Sequence, residues 1–359
     1  MRILHISSAR TFGGGERHFV DLTRELAARG HDVFAALRPT NEWQERLGFI
    51  PGERILYVSI RNSFGMFSAR QIARFVRENQ IEIVHAHLAR DYLPASLAAR
   101  AAAGARMVLT RHVTFPLKPF YRFALRNVDA AIAVSGGVAE QLENIFPVEK
   151  VRIIPNGIIM PAAADGAEFR RFHGISPDVP LVTTLGELKP LKGQRDFVLA
   201  ANEILKRIPD CRFVVAGRDN SFGQSFRREL KRLVKVFGFE DRFLWLDWLD
   251  DISPLMGATD IFVSPSHSES FGLAILDAMA AGCPVVATET AGAIELIDDA
   301  AALVPIRDPI ALAEKVCWYL ERPDERAQLG QHLQTVARER FGLERMVDAT
   351  EQLYEELLR

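Results

Sequence analysis

The chain of 359 residues carries 44 Lys and Arg against 46 Asp and Glu, a net charge of -2, and is 48% hydrophobic. This balance offers no overall field to hold a polyanion, so nucleic acid is not an expected partner. The apolar content excludes a disordered or collagen-like chain. At roughly 150 residues per domain the length points to two domains, each able to bury a core.

Short β-branched apolar runs alternate with stretches of helical period, the pattern of parallel sheets covered by helices on both faces. The first series of strands is predicted over residues 2–7, 32–37, 81–87, 106–112, 130–135 and 151–155. A second series covers 181–185, 211–216, 242–246, 260–264, 284–287 and 301–304. Between them, 156–180 is rich in proline and carries an Ala-Ala-Ala-Asp-Gly run, the one convincing linker. The pattern therefore predicts an α/β chain of two doubly wound domains, 1–160 and 180–342, joined by a linker over 161–179. An amphipathic last helix, 343–359, follows the second sheet and can pack on either domain.

Cys211, Cys283 and Cys317 are far apart and match no metal or disulfide spacing, so reduced core thiols are expected. No signal-peptide pattern and no apolar run of about 18 residues is seen, so a cytoplasmic protein, soluble or peripherally attached, is expected.

In doubly wound sheets, ligands bind where strands run into helices. The loop after the first strand reads Ser7-Ser8-Ala9-Arg10-Thr11-Phe12-Gly13-Gly14-Gly15-Glu16-Arg17. Its glycines allow backbone to approach an anion at a helix start, or simply make a tight turn; the loop is neither GxGxxG nor a P-loop. In Glu269-Ser270-Phe271-Gly272-Leu273, a carboxylate precedes a helix predicted over 272–281, with Asp277 eight positions on and roughly on the same face. The alternative is that Ser268 or Glu269 only caps the helix and Asp277 is solvated. Gly186 to Gly193 ends another strand, with Lys192 placed to reach a phosphate or merely solvated. His85, His87 and His112 end neighbouring strands, suited to catalysis or to holding sugar hydroxyls. No metal is expected, because no carboxylate completes a ligand pattern beside them.

These segments, in this order and over essentially the whole chain, resemble the GT-B glycosyltransferases, specifically the retaining family-4 (group 1) type. The most specific stretch is Glu269-Ser270-Phe271-Gly272 with Ala278-Met279-Ala280 and Gly282-Cys283-Pro284-Val285-Val286-Ala287. Ser264-Pro265-Ser266, Gly186 with Lys192-Gly193, Ile154-Pro155-Asn156-Gly157-Ile158 and Gly30-His31-Asp32-Val33 support it. The resemblance implies two Rossmann-like domains facing across a cleft, with the acceptor on the first and a nucleotide-sugar donor on the second. It implies that Glu269 binds sugar hydroxyls, that the Ser270, Phe271, Gly272 and Leu273 amides lie near sugar and phosphate, and that Lys192 clamps the diphosphate beside Gly186. Gly14 and Gly15 would approach the diphosphate from the other domain. His112 would contact the transferred sugar and act with Glu269 and Lys192 in catalysis, His87 being a weaker candidate.

Two departures stand out. Position 277 is Asp where the family commonly has Glu for the ribose, and Glu187 stands where an arginine often joins the phosphate clamp. Arg195 and Arg218 are the candidates for the missing cation. The resemblance implies retaining, metal-independent transfer of a sugar from a UDP- or GDP-linked donor to a glycan or lipid-linked acceptor, without organic cofactor, in cell-surface polysaccharide, lipopolysaccharide or glycolipid assembly. A nucleotide-sugar epimerase, an inverting enzyme of the same fold, or a catalytically silent sugar-binding protein are the alternatives. Residues 111–126 mix basic and aromatic side chains beside the implied acceptor site, suited to touching the inner membrane face or, equally, to core packing.

Overall fold

The computed structural model describes residues 1–60, 65–102, 104–162 and 165–359. The chain forms two units, one of Met1–Gly157 with Leu343–Arg359, the other of Ile158–Gly342.

In the first unit the chain runs β1 (Arg2–Ser7), α1 (Gly14–Ala28), β2 (Asp32–Leu37), β3 (Ile55–Tyr57), α2 (Met66–Glu78), β4 (Ile83–Ala86) and α3 (Ala89–Ala101). It continues through β5 (Arg106–Arg111), α4 (Tyr121–Ala124), β6 (Ala130–Ala133), α5 (Gly136–Glu143) and β7 (Val151–Ile153). The sheet is parallel throughout, in the order β3-β2-β1-β4-β5-β6-β7. Its central strands are buried on both faces, which is why they read as continuous apolar runs. The short β3, an edge strand of three residues, is not among the strands predicted from sequence.

The second unit holds α6 (Gly166–Phe172), β8 (Leu181–Leu185), α7 (Gln194–Arg207), β9 (Arg212–Ala216), α8 (Ser225–Phe237), β10 (Phe243–Leu246), α9 (Ser253–Ala258) and β11 (Ile261–Ser264). Then come α10 (Leu273–Ala280), β12 (Val285–Thr288), α11 (Ala291–Leu296), β13 (Leu303–Val304), α12 (Pro309–Leu320) and α13 (Pro323–Phe341). The parallel order is β10-β9-β8-β11-β12-β13, a second Rossmann-like sheet. Helix starts are chemically marked: the Asp308 carboxylate accepts from the Ile310 and Ala311 amides, and Pro309 opens α12.

The stretch expected to be a linker, 161–179, is not one where it is described; its residues 163 and 164 lie outside the described part. It contains α6, whose Arg170 is buried and bonds the Ala258 carbonyl, the Asp260 carboxylate at 2.7 Å and the Val179 carbonyl. Proline-rich flanks made an anchored helix look like a spacer.

The last helix, α14 (Leu343–Leu358), belongs to the first unit. Leu343, Met346, Val347, Thr350, Leu353 and Tyr354 recur at three- and four-residue spacing and are buried, and the apolar ones join the core around Ile3, Phe19 and Leu22. The three cysteines are free and buried, and burial pushes their thiols up, leaving them inert. Among the described residues no helix is long and apolar enough to cross a membrane.

Candidate functional site

In the second unit, β8 and β11 are neighbours, so the loops after them meet at the carboxyl end of the sheet. Their approach depends on Gly193, which has φ +67° and where a Cβ would lie 1.8 Å from the Pro265 carbonyl oxygen. The His267 amide completes the junction by donating to the Leu191 carbonyl at 2.9 Å. This contact brings Lys192 Nζ to 2.5 Å from Glu269 Oε2, both side chains partly shielded from solvent. Glu269 does not cap α10, nor does Ser268. Gly272 holds the cap position with φ +101°, and the Glu269 carboxylate faces Lys192 and Ser266. The helix starts at Leu273, so helical spacing does not relate Glu269 to Asp277. The first-turn amides of a helix lack intrahelical acceptors, which gives Leu273 and its neighbours anion-binding character.

Asp277 is buried in α10 rather than solvated. Gly186 follows β8, its amide donating to the Ala216 carbonyl at 3.0 Å. Partial burial works to raise the Glu187 pKa, but Lys189 at 2.6 Å, Asn220 at 3.1 Å and nearby Lys192 hold it below the ordinary carboxylate value. That pairing removes much of the repulsion a diphosphate would meet. Arg195 is largely exposed and lies 3.5 Å from Glu229, while Arg218 is exposed with no hydrogen bond or ion pair to its guanidinium among the described residues. The geometry thus groups Lys192, Glu269 and residues 270–273, and leaves Arg195 paired away from them.

In the first unit, Gly13 caps α1, and Gly14 and Gly15 form its first turn. A Cβ at Gly15 would lie 3.6 Å from His112 Cδ2, so the glycine loop, His112 and His87 form one neighbourhood. Two histidines missed by sequence reading complete it. His5 on β1 contacts His87 at 3.1 Å between ring nitrogens, and the His18 ring on α1 centres 4.7 Å from that of His112. Burial holds His5 down to about 3 and His18 to about 4, and lowers His85, His87 and His112 well below the usual imidazole value. All five rings are therefore neutral near pH 7, able to give and accept hydrogen bonds.

Asp91 was missed as well. Its carboxylate accepts from the Ser8 amide at 2.8 Å and the Ser8 hydroxyl at 2.5 Å, fixing the start of the glycine loop. Burial raises its pKa to about 7 against the opposing Ser8 bonds and Arg90. The available signal was an acidic residue in the first turn of a helix that follows a strand end.

Comparisons with known proteins agree with this architecture. The pattern described as "Glycosyl transferases group 1" matches residues 165–335, and "Glycosyltransferase Family 4" matches 12–160. The chain is 25% identical to N-acetyl-alpha-D-glucosaminyl L-malate synthase of Bacillus anthracis, across 97% of this chain and 95% of that protein. It is 29% identical to the lipopolysaccharide core biosynthesis mannosyltransferase LpsB of Rhizobium meliloti, over 78% of each. Its fold matches the crystal structure of Anabaena HepE in complex with UDP at a TM-score of 0.87 and 21% identity, covering 99% of this chain and 100% of that one. Two parallel Rossmann-like sheets, the strand-end residues they present and these matches together place the chain in the group 1 glycosyltransferases of GT-B fold.

Proposed function

We propose that the protein is a retaining, metal-independent transferase that moves a sugar from a UDP- or GDP-linked donor to a glycan or lipid-linked acceptor in cell-surface polysaccharide, lipopolysaccharide or glycolipid assembly. The observation that carries this reading is the 2.5 Å contact of Lys192 with Glu269 beside the start of α10. In this reading the donor phosphate draws Lys192 away from Glu269, and the freed carboxylate accepts hydrogen bonds from the sugar hydroxyls. The bond from the anomeric carbon to the phosphate oxygen breaks, and the acceptor oxygen bonds to that carbon on the same face. The acceptor proton passes to the departing diphosphate. Lys192 and the amides of residues 271–273 stabilise the charge that develops on the leaving group. Asp277 serves the ribose, and His112, with His87 behind it, meets the transferred sugar as a neutral hydrogen-bonding wall. Gly14 and Gly15, lacking side chains, let the protein backbone approach the donor diphosphate.

The UDP held by Anabaena HepE and the lipopolysaccharide role of LpsB support the donor and the pathway class. Peripheral attachment to the inner membrane face is part of the proposal. Phe115, Phe120 and Phe123 are exposed along with Lys118, Arg122 and Arg126, whereas Tyr121 is buried. A thermal-shift screen against UDP-, GDP-, ADP- and TDP-sugars tests the reading: stabilisation by a UDP- or GDP-sugar is expected, and silence from all four refutes it.

A further inference from the structure

The histidine cluster of the first unit holds more nitrogen than its hydrogen bonds use. His18, His87 and His112 each offer one ring nitrogen, all within 4.8 Å of one another. His18 and His87 are 4% and 3% exposed. Both His18 nitrogens, His87 Nδ1 and His112 Nε2 are buried without a hydrogen-bond partner. The Asn156 side chain lies beside His18, yet neither its Oδ1 nor a His18 nitrogen reaches hydrogen-bond geometry. Unmet buried polar groups are destabilising, so the convergence of several on one point calls for an occupant.

An overlapping group, His5, His85 and His87, is equally close, but there both His85 nitrogens are engaged and only His5 Nε2 and the shared His87 Nδ1 lack a partner. His85 shares hydrogen bonds with Tyr354 at 2.6 Å and Thr110 at 2.7 Å, and His5 bonds His87 at 3.1 Å. That last bond does for the first group what outer partners do for metal-binding histidines. With His87 Nε2 donating to His5, His87 Nδ1 keeps an unshared lone pair for an ion.

We propose that His18, His87 and His112 form a binding site for a borderline transition-metal ion, Zn²⁺ foremost, with water in the fourth position. Three neutral imidazoles without carboxylate or thiolate suit Zn²⁺, Co²⁺, Ni²⁺ or Cu²⁺ and disfavour Mg²⁺ and Ca²⁺. His18 lies on α1, His87 and His112 lie one residue past the ends of the neighbouring strands β4 and β5, and the supporting His5 is on β1, so regular elements anchor the site. An ion here takes the His112 nitrogen that the transferase reading gives to the sugar, which makes the metal an inhibitor of transfer rather than a participant. The site itself does not depend on that reading.

The test uses the chelator-stripped full-length protein and needs no donor. Co²⁺ titration is followed by visible absorption, and Zn²⁺ affinity by competition with a chromogenic chelator. One equivalent of Co²⁺ with tetrahedral-type bands, displaced by Zn²⁺, is expected. His18→Ala and the outer-partner variant His5→Ala are each expected to weaken Zn²⁺ binding at least tenfold, while His332→Ala, on the surface beside Asp298, leaves it unchanged. Absence of the bands, or full-strength binding in His18→Ala, overturns the proposal. Should His18→Ala melt early without metal, His112→Asn at the more exposed ring supplies the same comparison.

Discussion

The Tyr354 hydroxyl and His85 Nδ1 share a 2.6 Å hydrogen bond, with both side chains fully buried. It ties α14 to the middle of the first sheet, 269 positions away in sequence. Tyr354→Phe keeps the ring's packing and strips one partner from a buried imidazole. Stability should fall by about 1–3 kcal/mol, seen as a lower denaturant midpoint at unchanged slope. An unchanged midpoint would show that the bond contributes nothing net.

The Lys192–Glu269 pair separates binding from turnover. Lys192→Ala should weaken donor binding by about 1.5–3 kcal/mol, the worth of one charged hydrogen bond, as measured by calorimetric titration. Glu269→Gln should leave nucleoside diphosphate affinity within a few-fold and lower kcat by roughly two to three orders of magnitude. Wild-type turnover in Glu269→Gln would remove this carboxylate from the site.

Asp91 predicts a pH dependence. Its folded pKa, about 7, lies above that of a free carboxyl, so the native state binds the proton more tightly than the unfolded chain. The stability it contributes is complete below about pH 4 and is lost as pH rises through 7. Arg90 and Glu16 are the charges facing it, the first lowering and the second raising its pKa. Asp91→Asn preserves two bonds to Ser8, accepting from the amide and donating to the hydroxyl. The variant should lose less stability than wild type between pH 5 and about 8, and equal slopes in denaturant titrations across that range would contradict the assignment.

The aromatic surface beside β5 predicts vesicle binding. Phe123 is 79% exposed and Phe115 59% exposed. Burying each in a bilayer interface is worth about 1.5–3 kcal/mol, so Phe115→Ser with Phe123→Ser should cut flotation with anionic vesicles at least tenfold. Equal flotation of wild type and variant would place membrane contact elsewhere.

Sequence reading recovered the two sheets because strands buried on both faces write themselves as short β-branched runs. It missed β3, an edge strand of only three residues, and misread α6, whose anchor Arg170 finds its partners near position 260. Lys192 and Glu269 were legible as strand-end residues. Their mutual contact was not, because it rests on Gly193 fitting against Pro265. His5 lies in the first strand and His18 just past the glycine loop, and only the fold sets them against His87 and His112. Glu187 looked repulsive because only the fold turns Lys189 onto its carboxylate and brings Asn220 from another strand end to donate to it.

The first unit takes its core from both ends of the sequence, since Leu343–Arg359 packs with Met1–Gly157. During synthesis that core has to wait for α14, whereas residues 158–342 emerge earlier and are contiguous. The second unit is then the first able to finish folding on the ribosome, the reverse of the usual amino-terminal lead. A premature stop or proteolytic nick just past Gly342 would spare the lobe carrying Lys192 and Glu269 while unsealing the histidine-rich interior of its companion.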